Sequence, residues 1–238
     1  MAGLWLILPT YNEAENIERI VAAALPQLAS TGLEHRLLVV DDGSPDGTGQ
    51  IADRIAAESP AVEVLHRTSK DGIGPAYLAG FDRALSEGAD LVMEMDSDFS
   101  HDPKDIPRLV AAAADADLVL GSRYVPGGGV TDWGLVRRLI SRGGSLYARV
   151  LLGVPVRDLT GGFKCFRRST LEGLDLSNIG TDGYGFQIEV TYRALKAGYR
   201  VREVPILFRD RDAGSSKMSA RIAVEAFWKV PLLRFRVR

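Results

Sequence analysis

Two aspartates one residue apart, Asp96 and Asp98, follow the apolar run Leu91–Met95 and lead at once into Phe99-Ser100-His101-Asp102-Pro103. Unpaired carboxylates at the tip of a buried strand cost several kcal/mol, as a rough estimate, so a cation or hydrogen-bond donors must meet them. A hard divalent ion such as Mg²⁺ takes one or two carboxylates and completes its octahedron with water and substrate phosphates. The pair therefore suits a metal-nucleotide site, the alternative being an N-cap for the turn that follows. His101 also has two readings, a general base or a cap for the next helix, and the adjacent Asp102-Pro103 favours the cap.

A second acidic cluster, Asp41-Asp42-Gly43-Ser44-Pro45-Asp46-Gly47-Thr48, sits in a turn before a helix. It fits either a capped turn, with Asp46 or Thr48 at the N-cap, or carboxylates that accept hydrogen bonds from a nucleoside. Gly72-Ile73-Gly74 is only a fragment of a dinucleotide fingerprint, with its strand too distant and its third glycine misplaced, which excludes a Rossmann cofactor site. The formal net charge of −2 hides a division. Residues 1–120 hold 8 Lys and Arg against 21 Asp and Glu, whereas residues 121–238 hold 21 against 10. Either both surfaces are simply solvated, or acids in the first half handle a cation while bases in the second handle phosphate or an anionic membrane.

The elements that must position these groups follow from hydrophobic periodicity. Leu4–Leu8, Arg36–Asp41, Val62–His66, Leu91–Asp96 and Leu118–Leu120 read as strands. Glu13–Leu28, Thr48–Ala57, Gly74–Ser86 and Asp105–Ala114 read as the helices between them. The strands are apolar runs rather than alternations, as in a mostly parallel sheet covered by helices on both faces, an α/β fold. Ligands of such sheets bind beyond the carboxyl ends of the strands. That places Pro9–Glu13, Asp41–Asp46, Lys70–Gly74 and Asp96–His101 along one rim.

Beyond residue 121 the alternation stops. The Gly-rich segment Pro126–Gly129 leads into a basic helical stretch over Trp133–Leu152, in which Leu135, Leu139, Leu146 and Val150 share one face and Arg138, Arg142 and Arg149 another. Gly143-Gly144 permits either one helix or two shorter pieces. A short strand within Gly161–Phe166, a helix over Phe186–Ala197, a strand over Val201–Leu207 and an amphipathic helix from Met218 complete the reading as one domain, 1–238. Its parts are a nucleotide-binding half (1–121), an acceptor half (122–217) and a basic C-terminal segment (218–238).

Composition sets the outer bounds. At 238 residues, with 46% apolar and 25% charged side chains, the chain has the makeup of a globular domain, which excludes collagen-like, coiled-coil and disordered classes. A single cysteine, Cys165, excludes internal disulfides and zinc clusters and leaves a reduced cytosolic setting as the default. No run of 18 uncharged apolar residues exists, so the chain is not expected to cross a membrane unaided. The last ten residues, KVPLLRFRVR, carry four bases and no acid among apolar side chains, which suits docking on an anionic leaflet as well as packing on the domain.

Taken together, LPTYNEAENI, VVDDGSPDGT, MDSDFSHDP, GSRYVPGGGV, LTGGFKCFRR and GSSKM resemble the polyprenol-phosphate (dolichyl-phosphate) mannosyltransferases. These are inverting enzymes of glycosyltransferase family 2 with the GT-A, or nucleotide-diphospho-sugar transferase, fold. The resemblance runs from Leu4 to about Met218. It implies transfer of mannose from GDP-mannose to a polyprenyl or dolichyl phosphate, with a UDP-sugar transferase or a silent nucleotide-binding, membrane-recruiting module as rivals.

By the same resemblance, Pro9, Tyr11, Glu13, Asp42, Lys70 and Asp96 line the nucleotide pocket. Asp96 and Asp98 hold Mg²⁺ or Mn²⁺, with Ser100 standing where the family often has the longer Gln. Arg123, Arg137, Ser141, Arg209 and Lys217 hold phosphate, and Arg123 joins the two aspartates in catalysis. A lipid phosphate is already an anion and needs cations rather than a base, which agrees with the many arginines and the lack of a base dyad. The expected partners are the two substrates and the membrane, with no nucleic acid. The expected location is cytoplasmic, peripheral on the cytoplasmic face of the membrane through direct contact or a separate membrane-anchoring protein.

Overall fold

The apolar runs become strands buried on both faces, and alternation within them divides two cores. In β1 (Gly3–Thr10), Trp5 and Ile7 face one cluster with Tyr77 and Phe81, whereas Leu4, Leu6 and Leu8 face another with Ile17, Ile20 and Val21. A strand with helices on each side has no polar face, which is why its sequence does not alternate. The computed structural model describes residues 3–179, 183–210 and 230–237.

After β1 come α1 (Ile17–Ala29), β2 (Glu34–Asp41), α2 (Thr48–Glu58), β3 (Val62–His66), α3 (Ile73–Ser86), β4 (Leu91–Glu94), α4 (Ile106–Ala112) and β5 (Leu118–Ser122). The second half adds β6 (Gly129–Val130), α5 (Leu135–Leu152), β7 (Lys164–Arg167), α6 (Arg168–Gly173), α7 (Tyr184–Lys196), β8 (Val201–Pro205) and β9 (Leu207–Phe208).

Seven strands form one sheet in the order β3-β2-β1-β4-β7-β5-β8, parallel except for β7, which runs antiparallel to both neighbours. The order reverses between β1 and β4, and a ligand crevice belongs at such a switch point. Ser97 Oγ donates to the Pro9 carbonyl at 3.2 Å and ties the two tips together there.

One strand departs from the sequence reading, and α5 takes one of the two forms that reading left open. The strand expected over Val201–Leu207 divides: β8 pairs with β5, Ile206 N–H bonds Ser122 O at 3.0 Å, and β9 pairs with β6 in a separate two-stranded sheet. α5 is one helix that runs through Gly143-Gly144, its later turns held by buried Ser145, Ala148 and Leu152. The face with Leu135, Leu139, Leu146 and Val150 is turned outward, each side chain at least 56% exposed. Of the amphipathic C-terminal helix, residues 218–229 lie outside the described residues; 230–236 is helical, with Val230 and Leu233 in the same core as Ala148 and Leu152.

Candidate active site

The carboxyl ends of β1, β2 and β4 open into a cavity of about 330 Å³. Pro9, Tyr11, Glu13, Asp42, Lys70, Asp96, Asp98, Ser100, Arg123 and Arg137 all line it, so the rim expected from strand order exists. The described structure does not bring Ser141 or Arg209 onto its wall. Ser141 Oγ is engaged by Tyr124 Oη at 2.7 Å, and the half-exposed Arg209 side chain faces Asp102 at 3.8 Å while its backbone N–H bonds Ser100 O. Lys217 lies outside the described residues.

The acidic tip is shaped by a tight turn. Asp98 Oδ1 accepts the Ser100 N–H at 3.0 Å, and Phe99 between them has a left-handed φ of 62°, an unusual conformation for a non-glycine residue. The turn buries Asp98 and Ser100 together. Asp96 receives a long hydrogen bond from Tyr77 Oη at 3.4 Å. Burial, then the Asp96 charge, pushes the Tyr77 phenol well above its ordinary pKa, so it stays a donor. Ser100 Oγ is buried without a hydrogen-bond partner among the described residues, and Gln187 Oε1 on α7 is likewise unpaired. The floor is bare at Gly162, where a Cβ would touch the Asp96 carboxylate and the Gln187 carboxamide, each at 3.5 Å. Two carboxylates and an unsatisfied hydroxyl match the partial oxygen set that Mg²⁺ or Mn²⁺ takes from protein when substrate supplies the remainder.

At the β2 end of the cavity, Asp42 is buried and accepts from Arg67 Nη1 at 2.6 Å, yet burial outweighs that charge and holds its carboxyl above the ordinary pKa. Sequence reasoning missed Arg67, whose signal was a base one residue past β3 facing the acidic turn. Lys70 Nζ stands 3.9 Å over the Tyr11 ring. Neither Asp46 nor Thr48 is the N-cap of α2, a place taken by Gly47 in a left-handed conformation; Asp46 stands one residue earlier and accepts from Thr48 N–H and Oγ1, while Asp42 remains on the wall.

His101 does not cap the next helix. Asp102 takes that place by accepting the Lys104 N–H at 3.0 Å. The imidazole is instead fully buried between Phe163 and Phe208, accepts the Asp96 N–H on Nδ1 at 3.3 Å, and is pushed down by burial to a pKa of about 4. It is neutral at pH 7 and a weak proton acceptor.

Arg123 reaches the cavity with its charge already compensated. Its Nε and Nη2 bind the Asp158 carboxylate at 2.7 and 2.6 Å, and Nη2 also reaches Thr160 Oγ1 at 2.7 Å. Arg137 pairs with Asp210 through Nη1, at 2.9 and 2.8 Å, and remains about half exposed. The site thus sets acids and the Ser100 hydroxyl at the β1–β4 crevice, with Arg123 and Arg137 on the same cavity wall. Residues 5–174 match the family described as Glycosyl transferase family 2.

The chain belongs to glycosyl transferase family 2.

An undecaprenyl-phosphate mannosyltransferase of Micrococcus luteus is 50% identical over 220 residues, 92% of this chain and 89% of the relative. A polyprenol monophosphomannose synthase of Mycolicibacterium smegmatis is 50% identical over 230 residues, 94% and 84% of the two chains. Among solved structures, glucosyl-3-phosphoglycerate synthase from Mycobacterium tuberculosis in complex with Mn²⁺, UDP and phosphoglyceric acid aligns with all of this chain and 80% of its own, at a TM-score of 0.72 and 22% identity. The same enzyme with Mg²⁺ and UDP aligns at a TM-score of 0.72. These matches establish the GT-A architecture of this family 2 glycosyltransferase.

Proposed function

We propose that this glycosyltransferase moves mannose from GDP-mannose to a polyprenyl phosphate, with inversion at the anomeric carbon. The observation that carries the reading is 50% identity, over more than nine-tenths of the chain, to two proteins named for mannose transfer to prenyl phosphates. The cavity supports it. Asp42 and Glu13 offer acceptors to a nucleoside, and Asp96, Asp98 and Ser100 would hold Mg²⁺ or Mn²⁺. When bound, the ion supplies charge stabilisation for the departing diphosphate. Arg123 and Arg137 hold the acceptor phosphate in line with the anomeric carbon, a positioning role that needs no base because the nucleophile arrives ionised. Neutral, hydrophobically buried His101 fits a site without a base.

Membrane contact follows from a lipid acceptor. Among the described residues no helix is long and apolar enough to cross a membrane. α5 presents Leu135, Val136, Leu139, Ile140, Leu146 and Val150 to solvent with four arginines and no acid, and its first turn carries Arg137 at the cavity. Leu232 and Phe235 of 230–236 are exposed beside its end, where Arg234 Nη1 bonds Leu151 O at 3.3 Å. An amphipathic basic face of this kind lies in an anionic leaflet, each Arg adding about 1 kcal/mol. The enzyme then works peripherally, with the cavity mouth at the lipid surface.

Incubation with radiolabelled GDP-mannose, polyprenyl phosphate and Mg²⁺ or Mn²⁺ should move label into the organic phase. Transfer from UDP-glucose but not from GDP-mannose would overturn the donor assignment.

A further inference from the structure

An aromatic ladder joins the two arginines of the cavity. The Arg123 guanidinium lies 5.2 Å from the Phe208 ring centre, Phe208 meets Trp133 edge to face at 5.3 Å, and the Arg137 guanidinium lies 4.2 Å from the Trp133 ring centre. Such contacts fix guanidinium planes as well as adding attraction.

Trp133 does more than stack. It lines the cavity at 7% exposure, and its Nε1–H is buried without a hydrogen-bond partner among the described residues. The indole nitrogen is a donor only, and a buried donor left unmatched is costly enough to require a reason. Asp132, immediately before it, has a left-handed φ of 62°, so the backbone turns sharply just where the indole is set into the cavity wall ahead of exposed α5.

We propose that Trp133 is a binding residue for the acceptor: its Nε1–H donates to a phosphate oxygen held between Arg123 and Arg137, while its ring orients Arg137. The inference rests on polyprenyl phosphate being the acceptor. A donor N–H flanked by two guanidinium groups, each ion-paired to Asp158 or Asp210, selects an oxygen that can accept several hydrogen bonds at once, as a phosphate oxygen does, and the carboxylates of Asp96 and Asp98 belong to the other substrate.

Trp133→Phe keeps an aromatic face and removes the N–H; Trp133→Leu removes both. With each substrate varied in turn, Trp133→Phe should raise the KM for polyprenyl phosphate about tenfold, leaving the KM for GDP-mannose and the melting temperature unchanged. Trp133→Leu should raise it further. Calorimetric titration of a short, soluble isoprenyl phosphate into wild type and Trp133→Phe gives a readout independent of turnover, with about tenfold weaker binding expected. An acceptor KM and affinity within twofold of wild type, or a shift confined to GDP-mannose, overturns the proposal. A wild type that binds the isoprenyl phosphate but transfers no mannose sinks the donor assignment and leaves the Trp133 comparison standing. A wild type that neither binds nor transfers overturns both.

Discussion

Arg123 and Asp158 form a buried, two-pronged ion pair, and the Arg123 backbone N–H adds a third hydrogen bond to the same carboxylate at 2.9 Å. Asp158 is held in turn by its own N–H, which donates to Glu203 Oε1 at 3.0 Å, while Ser122 Oγ donates to that oxygen at 2.7 Å. The turn at 158 thus joins the end of β5, through Arg123 and Ser122, to Glu203 in the middle of β8. Burial alone would raise the Asp158 pKa, but the Arg123 charge and these hydrogen bonds outweigh it and leave the carboxyl below its ordinary value.

Asp158→Asn should therefore cost about 3–5 kcal/mol, because it leaves a buried cation unmatched. The sign of its pH dependence follows from the depressed pKa. The stabilisation is complete above the unfolded carboxyl value of about 3.9 and is lost as pH falls through the folded one. Urea unfolding should show wild type and variant far apart at pH 7 and converging in acid; matching midpoints at pH 7 would refute the pairing argument.

Asp98 belongs to the buried tip that would hold the metal. Loss of a cation worth several kcal/mol of transition-state stabilisation corresponds to about 100- to 1000-fold in rate. Asp98→Asn should lower mannose transfer by about that factor, and chelation of wild type should do the same, reversed by added Mg²⁺ or Mn²⁺. Transfer that survives both treatments would mean metal-free chemistry.

Beneath the cavity, Lys164 of β7 binds Glu94 of β4 at 2.7 Å with both side chains fully buried. Burial raises the Glu94 pKa and lowers that of Lys164, and each charge opposes the shift of the other. Lys164→Met alone should destabilise by about 3–5 kcal/mol, whereas Glu94→Leu combined with Lys164→Met should recover most of that loss. Chemical denaturation of both variants decides it, a double variant worse than the single counting against an isolated pair.

The outward face of α5 has a direct assay. Leu139→Glu with Ile140→Glu should abolish co-sedimentation with anionic vesicles while leaving transfer to a short, soluble isoprenyl phosphate intact. Equal retention of wild type and variant on the vesicles removes α5 from the membrane contact.

Cys165 is fully buried, and burial pushes its thiol up to about 12. Thiol reagents should modify it only as fast as the protein unfolds. Rapid labelling of the native protein would place it at a surface.

Much of this molecule was legible residue by residue. The unbroken apolar runs gave a sheet covered on both faces, and Asp96-Ser97-Asp98 at a strand end, with Pro9–Glu13 and Asp41–Asp46 on parallel neighbours, placed the rim before any coordinates. These properties depend on side-chain period and on which strand end a loop leaves, both of which are local. His101 reads as a cap because it precedes Asp102-Pro103, and only packing shows that Asp102 takes that place while the imidazole turns inward.

The tertiary structure decided what depends on partners distant in the chain. It inserted β7 antiparallel between β4 and β5, which brought Lys164 to Glu94 across 70 residues, and it gave the charge of Arg123 to Asp158. It turned the apolar stripe of α5 away from the core, which periodicity cannot specify because a stripe marks a face without saying what that face meets. It also set Trp133 and Phe208 between two arginines 14 residues apart. A buried group's charge state and hydrogen-bond partners are set by what the fold packs around it, and the sequence next to it does not contain that information.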